Sequence, residues 1–323
     1  MPAGKDPKGK TFQRLIFEEL FFLQCGLLHH RVEIKKDSRG IKMARSGELV
    51  QKVREGLGFA LTDSQKKAWQ EIDDDMQSPE PMNRLVQGDV GSGKTALALL
   101  ALAKAVENGY QGCLMAPTEI LAEQHYQEMQ KVLEQAGIRT ALLTGGLTAK
   151  KRRQVLEGLA DGSIQAVVGT YALIQDKVVF HSLALAITDE QHRFGVAQRA
   201  KLQAKSQYAP HVLVMTATPI PRTLALTVYG DLDVSIIDEL PPGRQPVQTV
   251  CVDERYRARL NAFIDKLIGE GRQVFVVCPK VEETDDIPSE LKSAEEHAQV
   301  LQRTFPQHRV ACIHGRMKAK DKD

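Results

Sequence analysis

The stretch that most limits what this chain can become is MNRLVQGDVGSGKTALALLALAKAVE, Met82 to Glu107. Gly88 to Thr95 fits G-x-x-x-x-G-K-[ST], a loop that wraps the phosphates of a nucleotide. Gly88, Gly91 and Gly93, with Ser92 between the last two, let the backbone turn sharply enough to aim its N–H groups at anionic oxygens. Lys94 adds a mobile positive charge and Thr95 a hydroxyl for Mg²⁺, and a following helix would direct the positive end of its dipole at the phosphates. The surroundings agree. An apolar strand is expected over Arg84–Gln87, and an Ala/Leu-rich helix over Thr95–Glu107 that stops at the cap signal Asn108-Gly109.

At 323 residues there is room for about two domains and a sizeable core. No apolar run approaches the ~18 residues of a membrane span, and Met1 to Lys10 is polar without a secretory signal's apolar region, so the expected location is the cytoplasm. Five cysteines, Cys25, Cys113, Cys251, Cys278 and Cys312, lack C-x-x-C spacing and read as reduced, buried core residues. The 43 basic and 41 acidic residues leave a net charge of +2, so bulk charge argues neither for nor against a nucleic-acid partner.

Along the chain, Arg14 to His30 carries apolar residues at helical spacing and should pack its greasy face on something. Arg31 to Gly58 is charged and weakly periodic, a connector with short helices. Thr62 is an N-cap for a helix that includes Trp69. From Arg84 to Asp238 strands and helices alternate, with strands expected at Gln111–Ala116, Thr140–Thr144, Ile164–Gly169, Leu183–Thr188, His211–Thr216 and Asp233–Asp238. Apolar runs of this kind suit a parallel sheet covered on both faces, hence a doubly wound α/β domain whose ligands gather at the carboxyl ends of the strands. Pro241-Pro242-Gly243-Arg244 marks a linker, and a second α/β run follows with strands at Val247–Val252, Gln273–Cys278 and Arg309–His314. The division is therefore a helical connector at 1–57, a P-loop domain at 58–244, and a cut-short second domain at 245–323.

Two further strand ends carry chemistry. LALAITDEQH, Leu183 to His192, ends an apolar run in adjacent carboxylates. In P-loop enzymes such a pair holds Mg²⁺ and orients or deprotonates the attacking water; Asp189 fits the first role and Glu190 the second, with His192 in contact with the same site. HVLVMTATPIPR, His211 to Arg222, ends in Thr216 and Thr218, small hydroxyl residues able to bond the acidic loop beside them and couple nucleotide state to a second surface.

Together these residues resemble the superfamily 2 helicases. The likeness narrows at DEQHRFGVAQR (189–199), TATPIPRTLALTVYGDLDVSIIDELPPGR (216–244), MNRLVQGDVGSGKT and the FEEL helix at Phe17–Leu20, which are similar to the RecG family of bacterial ATP-dependent DNA helicases that remodel branched DNA. The resemblance implies a RecA-like doubly wound parallel sheet followed by an incomplete second RecA-like domain, ATP and Mg²⁺ as cofactors, branched DNA as partner, and a monomer with no membrane contact. It also implies that Gln65 contacts adenine, and that Lys94 and Thr95, Asp189 and Glu190, and Thr216 and Thr218 are the first three helicase motifs. Pro117, Thr118, Thr144, Gly145 and Thr170 then lie along the DNA. Tyr171 stands where the family carries His. The family's wedge domain would precede the FEEL helix, and its fifth and sixth motifs, with an arginine for the γ-phosphate, would follow Met317; the chain reads as the middle of such a protein.

Two other readings stay open at this stage: a translocase of the transcription-repair coupling type, and a nucleotide-binding fragment without motor activity. On any of the three, Lys94→Ala should abolish ATP binding by calorimetry, because charge-assisted phosphate contacts are the strong ones. Glu190→Gln should keep binding and lose residual hydrolysis, because it preserves shape and removes the base. Equal ATP affinity in Lys94→Ala and parent would contradict the assignment of the loop.

Overall fold

The computed structural model describes residues 9–37, 40–189, 205, 208–217, 232–239, 247–278, 294–314 and 317. The chain divides into two compact units, Met1–Arg244 and Gln245–Asp323.

The first unit is built on seven strands: β1 (Asn83–Gly88), β2 (Gln111–Met115), β3 (Thr140–Leu143), β4 (Ala166–Gly169), β5 (Leu183–Asp189), β6 (His211–Thr216) and β7 (Asp233–Ile237). They form one sheet in the order β3-β4-β2-β5-β6-β1-β7, and every pairing is parallel. Parallel neighbours require a crossover between them, so all seven strands deliver their carboxyl ends to one edge. β2, β4 and β6 are buried at every residue, as expected of strands covered on both faces. The crossovers include α4 (Lys94–Glu107), α5 (Glu119–Gln135) and α6 (Ala149–Ala160), preceded in the chain by α1 (Lys10–Asp37), α2 (Glu48–Gly56) and α3 (Asp63–Gln77).

Helix α4 is the centre of the packing. Ala96 to Val106 are all buried, as a helix apolar around its whole circumference must be. Lys104 is fully buried among them, and its Nζ donates to Asp73 Oδ1 at 2.6 Å and to the Asp73 carbonyl at 2.8 Å, tying α4 to α3. The Gln77 amide and the Ser46 hydroxyl also donate to the Asp73 carboxylate, so the buried anion is fully surrounded. At the other end of α4, Glu107 sits where the helix dipole disfavours an anion. Its carboxylate accepts from the backbone N–H groups of Gly47 and Leu49, both at 2.7 Å, and thereby caps α2, whose own N-cap residue is a glycine. Asn108 Oδ1 accepts from Ala44 N–H at 2.7 Å. The charged stretch expected to be a connector is thus fastened to the P-loop helix, with Ile41, Met43, Val50 and Val53 in the main core.

His211 fixes the same segment from the sheet side. Its Nδ1 accepts from Met82 N–H at 2.9 Å and its Nε2 donates to the Ile41 carbonyl at 2.7 Å. Burial holds its pKa below the usual histidine range, in keeping with the neutral ring these two bonds require.

Several expectations need correction. The apolar side of α1 is exposed, Phe17 at 66% and Phe22 at 70%. The helix is ~42 Å long at 1.5 Å per residue, and after it Gly40 forms an isolated parallel bridge with Ala209. All five cysteines are free as expected, but Cys113 is the one buried; Cys25 and Cys251 are exposed, and Cys278 and Cys312 half-buried. Burial pushes the Cys113 thiol up to about 12, which leaves it inert.

The second unit contains a 3-10 turn at Glu254–Tyr256 and two helices, α7 (Arg257–Gly269) and α8 (Ala294–Thr304). The three strands expected at Val247–Val252, Gln273–Cys278 and Arg309–His314 are not strands among the described residues. A strand exists only as half of a hydrogen-bonded pair, so an alternating apolar run without a partner in register stays irregular. Phe275 and Val277 are accordingly 86% and 92% exposed. Among the described residues no helix is long and apolar enough to cross a membrane.

Lys104→Met should destabilise the first unit by about 3–5 kcal/mol, because it strands a buried carboxylate. Adding Asp73→Leu should recover part of that loss in chemical denaturation, whereas additive losses would show that the two side chains do not act as a pair.

Candidate functional site

β1 ends at Gly88, and its last residues are followed by the turn Asp89–Gly93 and the first residue of α4, Lys94. Two positions in this turn have backbone conformations that favour glycine, Gly91 at φ 77° and Gly93 at φ 87°. Gly88 leaves no room for a side chain either: a Cβ there would come within 2.4 Å of Ser92 Oγ. Lys94 Nζ donates to the carbonyls of Gly88 at 2.7 Å and Asp89 at 2.9 Å, folding the cation over the mouth of the loop. Charged phosphate oxygens would outcompete those neutral carbonyls. Ser92 is buried, and its Oγ has no hydrogen-bond partner among the described residues.

Gln65 braces this loop. Thr62 caps α3 by accepting from Gln65 N–H at 3.3 Å, and its own N–H donates to Gln65 Oε1 at 2.9 Å, a reciprocal capping box. The remaining end of the side chain, Nε2, donates to the Ser92 carbonyl at 2.7 Å. Gln65 is 1% exposed, so both ends of its amide are engaged within the protein. The start of α3 is held in turn by Glu239, which accepts from Ser64 N–H and Oγ, each at 3.2 Å; these bonds hold the Glu239 carboxyl below its usual range.

Register places the other residues. Asp189 closes β5 opposite Met215 of β6, and Thr216 of β6 lies opposite Gln87 of β1. The acidic strand end and the P-loop therefore flank β6, two strand spacings or ~10 Å apart at the backbone. Thr216 is buried between them. Glu190, His192 and Thr218 lie outside the described residues.

On the other half of the same edge, Pro117 and Thr118 follow β2, Thr144 and Gly145 follow β3, and Thr170 follows β4. These three strands are neighbours in the order β3-β4-β2. Thr118 is exposed and caps α5, its hydroxyl accepting from Leu121 N–H at 3.3 Å. The next residue, Glu119, accepts from Gly146 N–H at 3.1 Å and so joins the β2 loop to the β3 loop. Gly145 lies so close that a Cβ there would come within 2.7 Å of Glu119 Oε1. Nearby basic residues are only partly available. Arg153 pairs with Glu157 at 2.7 Å and Arg152 donates to Gln175 at 2.6 Å, while Lys150 and Lys151 are exposed.

Sequence reasoning missed two residues here. His125, on α5, places Nε2 2.7 Å from Asp189 Oδ2. A histidine at one polar position of an amphipathic helix gives no signal of its own, and the pairing exists only once α5 is laid beside β5. Glu119 was likewise invisible as a clasp between loops.

Residues 62–227 match the family model for DEAD/DEAH box helicases, which covers just over half of the chain. The chain is 47% identical over all 323 residues to the ATP-dependent DNA helicase RecG of Synechocystis sp. (strain ATCC 27184 / PCC 6803 / Kazusa), of which it covers 38%. It is 46% identical over all 323 residues to RecG of Bacillus subtilis (strain 168), of which it covers 47%. The chain thus spans less than half the length of these curated relatives. Among solved structures, RecG bound to a three-way DNA junction superposes with a TM-score of 0.77 at 41% identity, over 91% of this chain and 38% of that one. The DUF1998 helicase MrfA superposes with a TM-score of 0.55 at 17% identity, over 72% of this chain and 38% of that one, a likeness of fold alone.

The bracing of the loop is open to test at Gly93. A Cβ there would stand 2.3 Å from Gln65 Nε2 on a backbone with positive φ. Gly93→Ala should therefore remove the thermal stabilisation that ATP gives the parent. An undiminished shift in melting temperature would mean that the loop does not depend on this packing.

Proposed function

We propose, from the premise that this chain belongs to the DEAD/DEAH box helicase family, that it is the ATP-binding domain and the beginning of a second domain of a RecG-type DNA helicase that remodels branched DNA. The observation that carries the reading is the division of one sheet edge into two contiguous halves. β5, β6 and β1 bring together the P-loop, Asp189 and Thr216; β2, β4 and β3 bring together Pro117, Thr118, Thr144, Gly145 and Thr170.

In this reading Gly88 to Thr95 cradle the phosphates through backbone N–H groups, and Lys94 exchanges its carbonyl partners for phosphate oxygens. Gln65 keeps the loop in shape, and contact with adenine would require its Nε2 to leave the Ser92 carbonyl. Thr95 and Asp189 would hold Mg²⁺, a hydroxyl and a carboxylate being the hard oxygen donors that ion prefers. The unsatisfied Ser92 Oγ and the absence of a side chain at Gly88 fit a cradle for anionic oxygens with their metal. When bound, the ion neutralises charge on the transferring phosphoryl group. Glu190 orients and deprotonates the attacking water, His192 contacts the nucleotide, and Thr216 with Thr218 relays its state to the second surface. We read 1–57 as a lead-in whose residues Ile41, Met43, Val50 and Val53 pack into the core of the ATP-binding domain at 58–244, and 245–323 as part of the second domain. The reading makes the protein a monomeric enzyme of the cytoplasm, where a bacterium's DNA lies. The RecG likeness favours this over the transcription-repair coupling translocase, which would also bind RNA polymerase.

The DNA half can be tested without touching the nucleotide. Asp is as good an N-cap as Thr, so Thr118→Asp keeps α5 capped while aiming a carboxylate at the DNA backbone. Like charges brought together across an interface cost up to several kcal/mol, so affinity for a forked duplex at low salt should fall by roughly tenfold or more. Melting temperature and ATP affinity should be unchanged. Parent binding should itself weaken steeply as salt rises, because it is phosphate-directed. Undiminished fork binding by Thr118→Asp would remove Thr118 from the interface.

A further inference from the structure

The two halves of the sheet edge meet where β2 pairs with β5, Met115 lying opposite Thr188. Among the described residues a side-chain contact crosses this seam at Asp189, the proposed Mg²⁺ carboxylate. Helix α5 starts on the DNA half, with Thr118 as its cap and Glu119 on the Gly146 amide. Seven residues on from Thr118, or about two helical turns, the His125 ring reaches Asp189 on the nucleotide half at 2.7 Å. Both side chains are largely buried, 12% and 14% exposed. Two pairs on the exposed face of α5 stay within the helix, Gln124 with Glu128 and Gln130 with Glu134. His125 instead bonds a residue 64 positions away, on the strand end that carries the proposed Mg²⁺ ligand.

An ionised carboxylate only accepts, so Nε2 is the donor in this pair. Oδ2 is thereby engaged, and the orientation of Asp189 Oδ1 is set by the ring. The ring itself is held on a 17-residue helix, not on a loop. A partner of this kind fixes the direction of a ligating carboxylate and is commonly worth roughly 10–100-fold in metal affinity.

We propose that His125 is a positioning residue for the metal site: its Nε2–H holds the Asp189 carboxylate in the orientation that binds Mg²⁺ with the nucleotide. The inference rests on the reading of Asp189 as the Mg²⁺ carboxylate, and its test separates the two. Two amides of different length serve as variants. His125→Gln places an N–H donor at the reach of Nε2; His125→Asn carries the same amide one methylene short. In the full 323-residue chain, Mn²⁺ binding in the presence of a non-hydrolysable ATP analogue would be followed by electron paramagnetic resonance. Binding of a fluorescent ATP analogue would be followed in EDTA. His125→Asn should need roughly tenfold more Mn²⁺ for half-saturation, and His125→Gln should return to within about threefold of the parent by restoring the same donor. Metal-free nucleotide affinity should be the same in all three, because the P-loop is untouched. Equal half-saturation in His125→Asn and parent would overturn the proposal, as would a His125→Gln as impaired as His125→Asn, which would assign the effect to ring packing. Asp189→Asn separates the premise: if it leaves the parent's Mn²⁺ binding intact, the carboxylate is not the ligand and the reading of the site fails with the inference. Should His125→Asn fail to fold, His125→Ala carries the same comparison.

Discussion

Everything in the first unit depends on the parallel ladder. Seven strands that all run one way must present seven carboxyl ends on one edge. Chemistry separated by more than a hundred residues, from Gly88 to Thr216, is therefore gathered without any long-range recognition beyond strand pairing. Strand order then decides what lies beside what. With β5, β6 and β1 adjacent, a carboxylate, a hydroxyl and a phosphate loop share one half; with β3, β4 and β2 adjacent, three loops share the other, exposed or half-exposed at Pro117, Thr118, Gly145 and Thr170 but buried at Thr144. Pairing of β2 with β5 sets these two halves of the edge side by side.

A phosphate loop is useful only if its backbone is held in a shape that few residues can adopt. Around α4 that shape is maintained by polar contacts placed at both ends and in the middle of the helix. Gln65 grips the Ser92 carbonyl at the start, Lys104 is locked to Asp73 within the core, and Glu107 caps α2 at the finish. Each contact joins α4 or its loop to the chain upstream of β1. The segment from Ile41 to Gln77 acts as a cradle for the P-loop helix, and His211 fastens the same segment to β6. Buried polar contacts of this kind do not have to add much net stability to matter, because leaving any one partner unpaired is costly.

The pattern of apolar runs between Arg84 and Ile237 made the sheet legible from the sequence, and the glycines with Lys94 and Thr95 made the phosphate loop legible. Both are written in local, periodic or contiguous residues. Thr62 and Gln65 were legible as a cap and a helix start for the same reason. His125 was not, because its meaning lies in a partner 64 residues away; nor was Glu107, an anion at the wrong end of a helix until α2 is seen above it. The charged stretch before Gly58 looked like a connector because it is weakly periodic, yet Met43 and Val53 are deeply buried. In the second unit the apolar runs at Gln273–Cys278 and Arg309–His314 read as strands and are not. A strand is a property of two segments, and one segment's sequence reports only half of it.

The central claim is that one sheet edge carries two adjoining but distinct binding surfaces. Hydrogen–deuterium exchange of the chain alone, with Mg²⁺ and an ATP analogue, and with a forked duplex tests it most directly. The nucleotide should protect amides around Gly88–Ala96 and the end of β5, while the duplex should protect those around Ala116–Leu121, Thr144–Gly146 and Thr170. Protection of the P-loop amides by DNA alone, or of the Thr118 and Gly145 loops by the nucleotide alone, would contradict the division.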